Sequence, residues 1–266
     1  MEKRFKHNSM SHRVKSMLAV DFRRMFTTRF LYIMLGICLV MPILILVMTT
    51  MLDGSVTVDP QTGVETVMEG FSNTWQAIGS YSDAGMMSMD LTGMCNINML
   101  YFFIAVLVCV FVADDFRSGY AKNLFTVRAK KGDYVISKTL VCLVGGALML
   151  LAFFVGAMLG GAIAGLPFDT GEAGVTGIAM CMIAKLCLVA VFVPIFLAVS
   201  VAVKQKTWLS LMLSFMASML LFMMVPMMTP LDSDIMNVIL CLAGGALFSI
   251  GLGAVSKTVL AKTSLV

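Results

Sequence analysis

Long apolar runs limit what this chain can fold into more than any other feature. There are six of them, at about 31–49, 97–113, 139–163, 176–203, 208–229 and 236–256. Each is close to the roughly 20 residues that a helix needs to cross a bilayer core. Charged residues make up 13% of the chain, about half the share in an ordinary soluble domain. The sequence therefore predicts an all-α integral membrane protein with six transmembrane helices in one domain, residues 31–266.

The charges between the runs alternate in sign. Lys and Arg precede the first run, lie between the second and third and between the fourth and fifth, and follow the sixth. The other loops carry Asp and Glu without a single Lys or Arg. Cytoplasmic loops are the ones enriched in Lys and Arg. We therefore expect both termini in the cytoplasm and the acidic loops outside.

Two segments outside the runs show periodic patterns. Residues 10–29 repeat apolar side chains with a helical period beside a basic face, which predicts an interfacial helix after a cytoplasmic tail within residues 1–30. The alternative is a continuation of the first span. In the large outer loop, 50–96, β-forming residues at 55–58 and 64–67 flank a Pro- and Gly-bearing turn. This pattern favours a short β-hairpin over a disordered loop.

Residues that carry out catalysis or bind a cofactor are absent from the apolar runs. Both histidines, His7 and His12, are in the N-terminal tail, so a Ser–His or Cys–His dyad inside the membrane is excluded. Residues 251–258 imitate a phosphate-binding loop but lack its last glycine and a preceding strand. Lys257 is therefore interpreted as a membrane anchor. We expect a non-catalytic chain with no metal or cofactor of its own.

Lys185 is the one ionisable side chain well inside a run. A charge at that depth is costly and is a functional candidate. Two interpretations remain open: the side chain snorkels outward or pairs with an outer-loop carboxylate, or it lies in a substrate path. Asp and Glu are absent from the middle of the runs, which disfavours an ion-coupled transporter.

Small residues recur four apart in the third run, at Gly156 and Gly160 and again at Gly161 and Gly165. Such spacing lets helix backbones approach closely in lipid. It predicts either packing within one chain or a seam between two copies.

The segment joining the second and third runs, 114–138, is the most distinctive one. It reads DDFRSGYAKNLFTVRAKKGDYVISK and continues into the third run. The segment resembles the first cytoplasmic loop of ABC-2 type transporter permeases, especially the compact six-span subunits of Gram-positive bacteria. The matching positions are Asp115, Phe116, Ser118, Gly119, Lys122, Leu124, Phe125, the basic residues from Arg128 to Lys131, and Lys138. Tyr120 departs from the family, which commonly has Thr or a similar small residue there.

The resemblance implies that this loop forms a short coupling helix that docks on a separate ATPase subunit. The residues fit that role, since an acidic pair can end a membrane helix, Gly119 permits an unusual turn, and apolar side chains can fill a groove on a partner. An ordinary basic loop without a partner is the alternative. The implied coupling residues are Asp114, Asp115, Phe116, Arg117, Gly119, Lys122, Leu124, Phe125 and Arg128.

The resemblance also implies a function, that of the permease subunit of an ATP-binding cassette exporter in a bacterial cytoplasmic membrane. The expected assembly pairs two permeases, identical or homologous, with two ATPase subunits that hold ATP and Mg²⁺. The expected substrates are peptides, antimicrobials or lipophilic compounds, with antimicrobial peptide immunity as a possible context; nucleic acid is not expected as a partner. The alternatives are an ion-coupled secondary transporter and a non-transport membrane sensor or assembly subunit.

Overall fold

A computed structural model describes residues 10–58, 65–67, 69–81, 95–126, 130–204 and 206–262. Within these ranges the chain is almost entirely helical, as predicted. We number the α-helices of the described residues α1 (Met10–Thr27), α2 (Arg29–Leu52), α3 (Leu100–Arg117), α4 (Tyr120–Thr126), α5 (Lys131–Ala164), α6 (Gly174–Val203), α7 (Thr207–Phe222), α8 (Val225–Met228) and α9 (Ile235–Lys262).

Five helices of the described chain are long and apolar enough to cross a membrane: α2, α3 with its preceding turn, α5, α6 and α9. The sixth apolar helix, α7, has 16 residues and is about 24 Å long at 1.5 Å per residue. It falls short of a roughly 30 Å hydrocarbon core, and α8 follows after two residues. Pro226 lies in the first turn of α8, where a missing N–H costs nothing. The predicted run 208–229 is therefore two helices.

The amphipathic segment forms a helix of its own. Thr28 has extended backbone angles, φ −79° and ψ 125°, and separates α1 from α2. Met17, Asp21 and Met25 are buried on one face of α1, which packs against α5. Since the break lies at Thr28, α1 is distinct from the first membrane helix.

The longest helix, α5, begins before the apolar run that predicted it. It has 34 residues and starts at Lys131 rather than at 139. At about 51 Å it exceeds the bilayer core by several turns. Lys138 therefore lies two turns into the helix rather than at the end of the cytoplasmic loop, where the sequence placed it. The helix α9 is continuous across 251–258, so the segment that imitates a phosphate-binding loop is helical.

Glycines on α5 bring it against α2 in the same chain. A Cβ at Gly156 would lie 2.2 Å from the carbonyl oxygen of Leu39, and one at Gly160 would lie 2.8 Å from Cα of Ile43. Only glycine permits such close backbone contact. For these two positions the structure shows packing within one chain.

The outer loop contains the two strands of the expected hairpin. Val56–Val58 pairs antiparallel with Glu65–Val67, with Val56 opposite Val67. The predicted turn at 59–63 lies outside the described residues. A short 3₁₀ helix, Thr74–Ala77, is capped by Asn73 and packs on Gly161 of α5. The loop is thereby fixed to one end of the bundle, while α4 lies at the opposite, basic end.

Candidate functional site

The two adjacent aspartates at the end of α3 occupy different environments. The side chain of Asp114 is 64% exposed and that of Asp115 is fully buried. The helix does not stop at them but continues to Arg117. Neither aspartate therefore ends the helix, although the sequence suggested that the acidic pair would. A buried carboxylate is tolerated only where charges and hydrogen bonds compensate it.

That compensation comes from an ion cluster of four side chains, Asp21, Arg24, Asp115 and Lys138. The Lys138 ammonium lies 2.9 Å from Oδ1 of Asp21 and 2.7 Å from Oδ2 of Asp115. Arg24 forms a second ion pair with Asp115 and reaches Asp114 at 3.3 Å. Two cations thus face two buried carboxylates. The cluster joins α1, α3 and α5 at the basic end.

Neutral side chains complete the coordination of the ion cluster. The Tyr134 hydroxyl donates to Oδ2 of Asp115 at 2.8 Å, and the Ser137 hydroxyl donates to Oδ2 of Asp21 at 2.6 Å. The ring of Phe111 lies 4.1 Å from the Lys138 ammonium, within the range of a cation–π contact. Each buried charge therefore has several partners, which a stable buried network requires.

Tyr120, the residue that departs from the family pattern, covers the cluster from α4. Its ring centre lies 4.1 Å from the Arg24 guanidinium. Burial disfavours the charged form of Arg24, but the charge and hydrogen bond of Asp115, together with Tyr120 and Asp21, outweigh that effect, so the pKa of Arg24 is raised. Burial and the nearby Asp21 and Asp115 raise the pKa of Tyr120, so its phenol stays neutral. A large aromatic residue here therefore has a structural reason.

The short helix α4 follows a tight turn at Gly119, whose φ is +72°. This left-handed conformation favours glycine, as the sequence indicated. Lys122 and Asn123 on α4 are exposed, and Ala121 is buried. Leu124 and Phe125 are half-buried, with the Phe125 ring 5.5 Å from that of Tyr134 in an edge-on contact. The apolar side chains expected to fill a partner's groove thus pack in part against their own chain.

The predicted coupling residues divide into three groups by exposure. Among the described residues of this set, Asp114, Arg117 and Lys122 are exposed. Gly119, Leu124 and Phe125 are half-buried, while Asp115 and Phe116 are buried. Arg128 lies outside the described residues.

A comparison with models of known protein families gives a match to most of the chain. A family model described as ABC-2 family transporter protein matches residues 18–221, well over half of the chain. The chain belongs to the ABC-2 transporter family. The matched range begins within α1 and ends in α7, so it includes the whole ion cluster and α4. Searches of curated proteins and of solved structures found no match.

This ABC-2 family protein has a second buried lysine, Lys185, near the middle of α6. The side chain is fully buried, and its ammonium donates to Oδ1 of Asn98 at 2.7 Å and to Oγ1 of Thr229 at 2.8 Å. The side chain therefore does not snorkel to the surface, and its hydrogen bonds go to neutral groups. The Tyr101 hydroxyl donates to the Lys185 carbonyl at 3.1 Å. Lys185 thus joins α6 to the start of α3 and the end of α8.

Sequence reasoning missed Asp21, the cluster's second carboxylate. Asp21 lies four residues after Met17 and four before Met25, on the apolar face of α1. A lone carboxylate on an apolar helical face is the signal that could have found it, because burial there requires a cationic partner. Its partner Lys138 is 117 residues away by sequence number, which no local pattern reveals.

A serine–cysteine cluster, also missed, holds the short helix α7 in the ABC-2 bundle. The hydroxyls of Ser200 and Ser210 lie 2.9 Å apart. Both reach the Cys109 sulfur at 3.3 Å, and Ser214 lies 3.2 Å from it. Ser210, Ser214 and Ser218 recur four apart and are buried. Interhelical hydrogen bonds between small polar side chains stabilise packing in lipid. This spacing was visible in the sequence.

Proposed function

We propose that this protein is the membrane-spanning permease subunit of an ATP-binding cassette exporter that obtains its energy from a separate ATPase chain. Family membership and the apolar helices support a transporter permease. One observation supports the proposed role of this loop in coupling to the ATPase. The exposed turn formed by α4 is attached, through Tyr120 and Phe125, to an ion cluster that joins three helices.

The proposed contact with the ATPase is the outward side of this turn. Arg117, Lys122 and Asn123 are exposed there and offer charged and hydrogen-bonding groups to a partner. ATP and Mg²⁺ would be bound by that partner. Displacement of α4 would act on Tyr134 through Phe125, and on Arg24 through Tyr120. Because packed interfaces switch between discrete arrangements, α1, α3 and α5 would move together.

The proposed orientation of the chain in the membrane rests on charge, and export as the direction of transport rests on the family resemblance. Lys and Arg concentrate at the end of the bundle that carries α4, which supports placing that end and both termini in the cytoplasm. The 50–96 loop would then form the outer gate. A second permease, identical or homologous, would complete the pore in a bacterial cytoplasmic membrane. Peptides, antimicrobials or lipophilic compounds are the proposed cargo, and a buried Lys185 is a polar group that such a path could use.

Co-purification tests the proposal. The complex isolated from native membranes should contain an ATPase subunit of roughly 25–35 kDa with a phosphate-binding loop. The double variant Arg117→Glu/Lys122→Glu should lose most of that subunit, because both exposed charges of the turn are reversed. Lys206→Glu/Lys262→Glu is the matched control, as it reverses two exposed charges elsewhere at the basic end. Equal retention of the ATPase by both variants would contradict docking at α4.

A further inference from the structure

A groove separates the first half of α5 from the last half of α9 near the basic end. Its volume is about 740 Å³, and its walls are largely apolar. Ile136, Leu140 and Leu143 line it from α5, and Ile250 lines it from α9. Gly253 leaves room between the helices, since a Cβ there would come no closer than 3.9 Å to a side chain. The groove is largely apolar, as a site for an acyl chain requires.

Charged residues surround one end of this groove. Arg13 and Asp133 form an ion pair of 3.0 Å, so their charges cancel. Lys130 and Lys257 also line the groove and are exposed. The Lys257 stem passes over Gly132, where a Cβ would lie 3.6 Å from Cδ of the lysine. The two lysines therefore give this end of the apolar groove a positive charge.

The two helices are held together beyond the charged end. The Lys131 ammonium donates to the backbone carbonyl of Leu260, one of the last carbonyls of α9. A cation at a helix C-terminus satisfies carbonyls that lack an intrahelical partner. This contact links the start of α5 to the end of α9 beside the groove.

We propose that the groove binds one anionic phospholipid. The lipid phosphate would lie between Lys130 and Lys257, and an acyl chain would lie along Ile136, Leu140 and Ile250. Basic pockets between membrane helices suit anionic lipid head groups. A zwitterionic lipid offers the same chains but no net charge, so the two lysines favour the anionic class.

Native mass spectrometry of the full-length protein in a neutral detergent tests the proposal. Dioleoyl phosphatidylglycerol is titrated, with dioleoyl phosphatidylcholine as the comparison lipid. We expect one phosphatidylglycerol to be retained more tightly than phosphatidylcholine. The variant Lys130→Gln/Lys257→Gln should weaken phosphatidylglycerol binding by about tenfold or more, given the attraction of each lysine for an anionic lipid.

Two further variants distinguish specific lipid binding in the groove from a general attraction of anionic lipids to exposed lysines. Lys15→Gln/Lys262→Gln removes the same charge from exposed positions outside the groove and should change affinity less than twofold. Gly253→Leu fills the groove without changing charge and should also abolish tight binding. Equal losses in both lysine pairs, or unchanged binding in Gly253→Leu, would overturn the proposal. So would equal retention of both lipids, as expected for a neutral lipophilic ligand, or retention of neither, as expected if a second protein chain fills the groove.

Discussion

The two fully buried lysines among the described residues, Lys138 and Lys185, are held in opposite ways. Lys138 contacts two carboxylates, Asp21 and Asp115, within 3 Å. Lys185 donates to an amide and a hydroxyl, at Asn98 and Thr229. The first lysine is neutralised by the chain itself, whereas the second has neutral hydrogen-bond partners.

The difference assigns different roles to the two lysine regions. A charge-balanced network is costly to break once formed, because removing one member leaves another buried and unpaired. The Lys138 region is therefore a rigid junction of α1, α3 and α5. The Lys185 region is a polar point inside the bundle that is held by neutral hydrogen-bond acceptors. Three substitutions test this contrast, in order of decreasing effect.

Lys138→Met should destabilise the protein most. It leaves the buried Asp21 without its cation, at a cost of about 3–5 kcal/mol. The measurement is the temperature at which half of the monodisperse protein in detergent is lost on heating. We expect this temperature to fall by about 10 °C. The charge-neutral double variant Asp21→Asn/Lys138→Met is the control and should recover most of the loss, since Asp115 keeps Arg24. A fall of less than about 2 °C in the single variant would contradict the role of the ion cluster.

Lys185→Met should have a smaller effect on the same measurement. The substitution leaves two neutral acceptors without a donor, at a cost of about 1–3 kcal/mol. We expect the temperature at which half of the monodisperse protein is lost to fall by about 4 °C. Adding Thr229→Val to this variant should cost little more, because Thr229 has already lost its donor. If Lys185→Met destabilises as much as Lys138→Met, the two lysines are not held differently.

Tyr120→Leu should have the smallest effect. Loss of the ring beneath Arg24 removes a cation–π contact of about 0.5–1 kcal/mol, and a fall of about 2 °C is expected. Tyr120→Phe keeps the ring and should match the wild type. Equal losses in the two variants would assign the effect to the hydroxyl instead.

Local patterns predicted the helices but not their junctions. Hydropathy places each apolar run, because lipid demands about 20 consecutive apolar residues, and Gly119 predicts its own turn. The length of α5 was underestimated, because Asp133 and Lys138 read as loop charges until their partners were known. The ion cluster requires Asp21, Asp115 and Lys138 to meet from three distant segments. Only tertiary packing brings such groups together.

The predicted contact with a partner chain has the same cause of error, because the sequence does not reveal which side chains pack within the chain itself. Phe125 looked available to another chain, yet its ring packs on Tyr134. A substitution such as Phe125→Asp would therefore disturb this chain as well as any partner. Exposed Arg117 and Lys122 are the sharper probes of docking, because their side chains point away from the core.

The central claim is that the ion cluster carries movement of α4 into α1. Hydrogen–deuterium exchange of the full complex, with and without ATP trapped on the partner ATPase, tests it directly. In the wild type, exchange should change in both α4 and α1. In the charge-neutral variant Arg24→Met/Asp21→Asn, we expect α4 to respond to ATP while α1 does not, since α1 then lacks its contact with Tyr120 and its ion pairs with Asp115 and Lys138. An unchanged response of α1 in that variant would contradict the account.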